Sequence, residues 1–105
     1  MAQVIRTIQR HSAFVTKELV DSATNTKVSV GNTSTSILAA NANRVEMVFV
    51  NDSDEVIYLS LSGTAVMNEG IRLNSRGGAY INVTYLGAVT AICTSGTKNL
   101  TVCEQ

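Results

Sequence analysis

From Lys27 onward, apolar and polar residues alternate in short runs separated by turn-forming residues, a pattern that predicts strand after strand. Lys27–Val30 is a brief alternating run, and Ser36–Ala39 follows the turn signal Gly31-Asn32. Arg44–Asn51 (RVEMVFVN) is the strongest strand in the chain. Its second half is apolar on both faces, which places it centrally in the sheet. Asn51-Asp52-Ser53-Asp54 carries Asx-turn chemistry. Glu55–Ser62 (EVIYLSLS) then turns Ile57, Leu59 and Leu61 inward and Tyr58, Ser60 and Ser62 outward, so the two strands are expected to pair as a hairpin. Ile71–Leu73, Ala79–Thr84, Ala88–Thr94 and Asn99–Glu104 complete the series, the last two expected to pair around Ser95-Gly96-Thr97-Lys98. Val89, Ala91 and Cys93 share one face, as do Leu100 and Val102. Seven or eight short strands with turns every eight to twelve residues describe an all-β antiparallel sandwich or small barrel.

The first 27 residues read differently. Apolar pairs (Val4-Ile5, Phe14-Val15, Leu19-Val20) and Ile8 alternate with polar residues, without a cap or stop signal that would decide between helix and strand. Asp21–Thr26 reads as a polar linker. The expected organisation is an N-terminal arm and linker over 1–27 and a β-sandwich domain over 28–105. The arm is too apolar for a solvated tail, so Val4, Ile5, Ile8, Phe14, Val15, Leu19 and Val20 are its candidate assembly residues.

Composition supports a single domain with a modest core, since the chain has 105 residues, 45% of them hydrophobic. Eight basic and eight acidic side chains balance. A nucleic-acid partner is therefore not expected, because phosphate neutralisation requires a basic excess or stripe. The balance is uneven along the chain: residues 1–27 hold four basic side chains against Glu18 and Asp21, and the remainder holds four against six acids. A basic arm docking on an acidic surface of a neighbouring copy fits that asymmetry. No apolar run reaches the roughly 18 residues of a membrane span. Arg6, Gln9 and Arg10 interrupt any signal-peptide core, so assembly in the cytosol is the expectation.

Candidate chemistry is sparse. His11 is the single histidine and lies in the arm, away from any nucleophile–base pattern. Cys93 and Cys103 are expected to face opposite ways or lie diagonally, beyond the roughly 7 Å reach of a disulfide, and they lack metal-site spacing. The acids Asp52, Asp54 and Glu55 cluster in a turn without the EF-hand pattern. Arg76-Gly77-Gly78 has no phosphate-loop context. The four Asn-x-Ser/Thr sites (Asn32, Asn51, Asn82, Asn99) read as chance products of composition. The expectation is a non-enzymatic protein without cofactor or metal. Tyr58, opposite the predicted core face, is the candidate surface-binding residue should the chain be a carbohydrate- or receptor-binding module.

Three stretches together resemble small β-sandwich structural proteins of tailed-bacteriophage virions: Ile37–Gly63, with Ala39-Ala40-Asn41-Ala42-Asn43-Arg44 leading into Asn51-Asp52-Ser53; Gly70–Ile81, with its Gly-x-x-Leu-x-x-Gly-Gly character; and Gly87–Glu104, around Ser95-Gly96-Thr97. The likeness covers about two-thirds of the chain and leaves the arm outside it. It implies a virion component: a capsid decoration or head-fibre subunit, or a neck or tail piece. The partners expected are further copies of the chain, a trimer first, and virion proteins such as the major capsid protein, with no nucleic acid and no membrane.

Overall fold

The computed structural model describes residues 19–105. Eight strands form two four-stranded antiparallel sheets: β1 (Thr24–Val30), β2 (Thr35–Leu38), β3 (Met47–Asn51), β4 (Ile57–Leu61), β5 (Ile71–Leu73), β6 (Ala79–Asn82), β7 (Val89–Cys93) and β8 (Lys98–Glu104). The first sheet has the order β1-β8-β3-β6 and the second β2-β7-β4-β5. Pairs β1–β8, β2–β7, β3–β6 and β4–β5 are all hydrogen-bonded, as they are when one long antiparallel ribbon is rolled up from its ends. This is the jelly-roll arrangement. The all-β sandwich expected from the alternation is what the chain forms.

Each strand contributes its inward row to one core. Val30, Met47, Phe49, Leu100 and Val102 from the first sheet meet Ile37, Ile57, Leu59, Leu73, Val89, Ala91 and Cys93 from the second. The inward assignments of Ile57, Leu59, Val89, Ala91, Cys93, Leu100 and Val102 follow the period of two read from the sequence. Phe49 lies opposite Tyr80 in the β3–β6 register and stacks on it, ring centroids 6.4 Å apart.

Strand pairing departs from expectation in two places. β3 and β4 do not form a hairpin, because β3 belongs to the first sheet and β4 to the second. β7 and β8 likewise separate. Every connection except β4–β5 crosses from one sheet to the other. The β3–β4 corner is held by Asn51, which is fully buried. Its Nδ2 donates to Glu55 O (2.7 Å) and Leu73 O (3.0 Å), and its Oδ1 accepts from Ser53 N (3.1 Å) and Ser53 Oγ (2.7 Å). The Asx chemistry is therefore present, but it bends the chain into the other layer. The backbone of Asn51 also holds the 74–78 turn, accepting from Gly77 N and donating to Gly78 O, both at 2.8 Å. At the other end of β3, buried Arg44 joins the layers too. Its Nε donates to Glu104 Oε2 (2.8 Å), Nη1 to Tyr85 O and Gly87 O, and Nη2 to Ala39 O. The expected strand Arg44–Asn51 is consequently shorter, because Arg44 to Glu46 serve this corner.

β1 starts at Thr24, inside the stretch read as linker, so the fold begins before residue 28. Thr24, Asn25 and Thr26 are polar because β1 is an edge strand, and its ladder to β8 rather than apolar burial sets its conformation. Gly70 has φ +91°, and a Cβ there would stand 2.2 Å from Leu59 O, so the β4–β5 connection passes too close to β4 for any side chain.

Replacing Asn51 by Asp tests the corner. Two buried carbonyls would lose their donor and face a carboxylate, for an expected loss of about 3 kcal/mol near neutral pH. The introduced carboxyl has its pKa raised on folding, so the deficit shrinks as pH falls; urea melts of the wild type and N51D at pH 7 and pH 4 measure both effects.

Candidate assembly surface

The two sheets differ in what covers their outer faces. On the second sheet, Tyr58 and Ile92 are adjacent outward residues of β4 and β7. The loop between β4 and β5 folds over them, bringing Ala65 and Met67 into a second small apolar cluster that also includes Val56. Tyr58 is only 9% exposed, and its hydroxyl is 3.2 Å from Asn68 Oδ1. Its ring is thus used internally and is not presented to a ligand; the expectation of a surface-binding Tyr58 is corrected by this cover.

On the first sheet no described segment plays that part. The outward row of β3 is Val48 and Val50; the register sets Val48 beside Cys103 and Ile81, and Val50 beside Thr101 and Ala79. Asn25 and Lys27 of β1 border the face next to Cys103 and Thr101. A shallow groove runs along Val48, Val50, Thr101 and Cys103. Ile81 is 59% exposed, and Val83 is 51% exposed. The sequence marks β3 as apolar at both parities, which a strand inside a two-layer sandwich does not need. That signal points to this face, yet the register linking Val48 to Ile81 and Cys103 is non-local and was not read from the chain.

Of the candidate arm residues, Val4, Ile5, Ile8, Phe14 and Val15 lie outside the described residues. Leu19 and Val20 are described, at 85% and 41% exposure, immediately before the bend that leads into β1.

Ionisable side chains at the β3–β4 and β7–β8 corners tie the loops together. Lys98 Nζ donates to Asp54 Oδ1 at 2.7 Å, and Glu55 accepts from Ser95 N (3.1 Å) and Ser95 Oγ (2.8 Å). The hydrogen bond from Lys98, reinforced by its charge, holds the Asp54 carboxyl below its ordinary 3.8. The same bond holds Lys98 above 10.5. The contribution of Asp54 is therefore present above pH 3.8 and lost as pH falls through its lowered value. That of Lys98 is present below pH 10.5 and lost as pH rises through its raised one. Among the described residues no three His, Cys, Asp or Glu side chains converge as a metal site.

The two thiols are separated by the core wall. Cys93 is buried in β7, donating to Ser95 O, and burial, with the Glu55 carboxylate adding to it, pushes its thiol above 9.0. Cys103 faces outward in β8, half-buried on the open face, and both are free.

No protein-family model, curated protein or solved structure matches this chain. The apolar part of this face is carried by β3 and β6, with Cys103 of β8, and is bordered by Thr101 and by Asn25 and Lys27 of β1.

Two outcomes are expected. In the native protein an aromatic disulfide reagent modifies Cys103 within minutes and leaves Cys93 untouched until denaturant is added. Replacing Lys98 by Met returns the Asp54 carboxyl titration, followed by carbon-detected NMR, upward to its ordinary range near 3.8.

Proposed function

We propose that the protein is a non-catalytic structural subunit that acts by assembling with other polypeptide chains, as a capsid decoration or head-fibre subunit of a tailed-phage virion. The observation that carries this reading is an apolar outer face on the first sheet that no described residues cover, set beside a second sheet whose equivalent face the β4–β5 loop covers. Among the described residues the chain's own loop seals one face, while on the other Val48 and Val50 stand half-buried and Ile81 exposed, which supports a role in contact. The jelly-roll topology supports the virion setting as an analogy, since viral capsid domains use it alongside lectins and cupins. Within that trio the described residues favour the capsid-type use. Tyr58, the aromatic a lectin-like site would draw on, is enclosed, and Asp54, Glu55, Glu104 and Cys93 serve corner ties and core packing. The resemblance of residues 37–104 to tailed-phage structural proteins supports the same setting.

Mass spectrometry of the purified phage particles whose genome encodes the chain tests the proposal. The protein is expected in intact particles at a fixed ratio to the major capsid protein, hundreds of copies for a lattice decoration and about a dozen for a neck, vertex or tail position. Its absence from particles that are otherwise complete would refute the virion role.

A further inference from the structure

Resting on the reading of the chain as an assembling subunit, we infer that the outer face of the first sheet seats residues 4–20 of a second copy. Three observations assign this occupant. The first is where the segment leaves the body. Leu19 and Val20 are the apolar pair nearest in sequence to the open face, separated from β1 by Asp21–Ala23 alone. If the segment turned back over its own sheet, these two side chains would be the first to reach cover. Instead Leu19 is 85% exposed and Val20 41%, so neither side chain is buried against the domain that carries it.

The second is size. Four strands about 4.8 Å apart and about five residues long present a face of roughly 300 Å². Two such faces pressed together bury about 600 Å², half of the roughly 1,200 Å² at which specific stable interfaces begin. Flat pairing of two bodies is insufficient by itself. An apolar segment laid along each face replaces that pairing and buries both faces and both segments, about twice the area. Eighteen residues extend to about 60 Å, several times the width of the sheet, so reach is not limiting.

The third is charge. Residues 1–18 carry Arg6, Arg10 and Lys17 against Glu18, whereas residues 19–105 carry five basic side chains against seven acids. Glu46 and Asp52 flank β3 in sequence, immediately before and after the strand that carries Val48 and Val50, while Lys27 stands beside Thr101 at the β1 border. A segment that intersperses Ile8, Phe14 and Val15 with arginine and lysine matches an apolar strand flanked in sequence by two acids.

Cys103, in the middle of this face, supplies a probe already in place, since Cys93 is buried and silent. Two full-length chains with different tags are mixed and refolded together. One is wild type; the other carries Cys103→Ser with a single new cysteine, Ile8→Cys or Val15→Cys. Mild oxidation is expected to link the two tags through Cys103 for at least one of the two positions. In parallel, light scattering after size exclusion is expected to find the wild-type chain oligomeric, and Val48→Glu with Val50→Glu to weaken association at least tenfold while the circular dichroism spectrum is kept. An oligomer that survives the paired glutamates and gives no cross-tag disulfide overturns the seat but leaves the subunit reading standing. A disulfide formed only within one chain, in Val15→Cys or Ile8→Cys with Cys103 retained, overturns exchange between copies. A wild-type chain that is monomeric at high concentration overturns the assembling-subunit reading itself, and the seat with it.

Discussion

The fold depends on keeping its two layers joined at both ends of β3, and two buried polar side chains do this. Asn51 closes one end by bridging Glu55 O and Leu73 O, and Arg44 closes the other by bridging Glu104, Tyr85 O, Gly87 O and Ala39 O. A sandwich in which nearly every connection crosses between sheets brings backbone carbonyls to its rims without strand partners. Leaving them unpaired would cost about 1–3 kcal/mol each. Arg44 has donors in a planar fork and Asn51 a donor and an acceptor on one amide, so a single residue serves several of these carbonyls. The Arg44–Glu104 pair is better regarded as fixing which rims meet than as a source of net stability, because burying a charge offsets much of its attraction.

With the rims fixed, the core follows from alternation, and that part was legible in the chain. Ile57 and Leu59, Val89, Ala91 and Cys93, and Leu100 with Val102 all face inward as their period of two requires. The partners of those strands were not legible. Asn51-Asp52-Ser53-Asp54 and Ser95-Gly96-Thr97-Lys98 have the composition of hairpin turns, yet both lead into the opposite sheet. Turn chemistry specifies a reversal; whether the returning strand pairs or crosses is decided by the other strands competing for the same edge. For β3 those are β6 and β8, thirty and fifty residues downstream.

The candidate site shows the same division. Sequence marked β3 as apolar on both faces, and β3 does stand inside its sheet, flanked on both sides. What sequence could not show is that no described segment would cover the outer row, or that Ile81 and Cys103 would extend it. Tyr58 illustrates the converse. Its parity was read as outward, and it is outward, but the loop carrying Ala65 and Met67 lies over it. Parity assigns a side chain to a face; only the tertiary arrangement says whether that face meets solvent.

The place of β8 has a consequence for synthesis. It is the last of the eight strands in the chain, yet it stands between β1 and β3. Until it is made, β1 has no neighbour in its sheet, and Val48 and Val50 have no Cys103 or Thr101 beside them. The outer face of the first sheet therefore comes into being only once β8 is in place. A nascent or prematurely terminated chain lacks the Val48–Cys103 and Val50–Thr101 pairs that form this face, and leaves the inward row of β3 without Val102 beside Phe49.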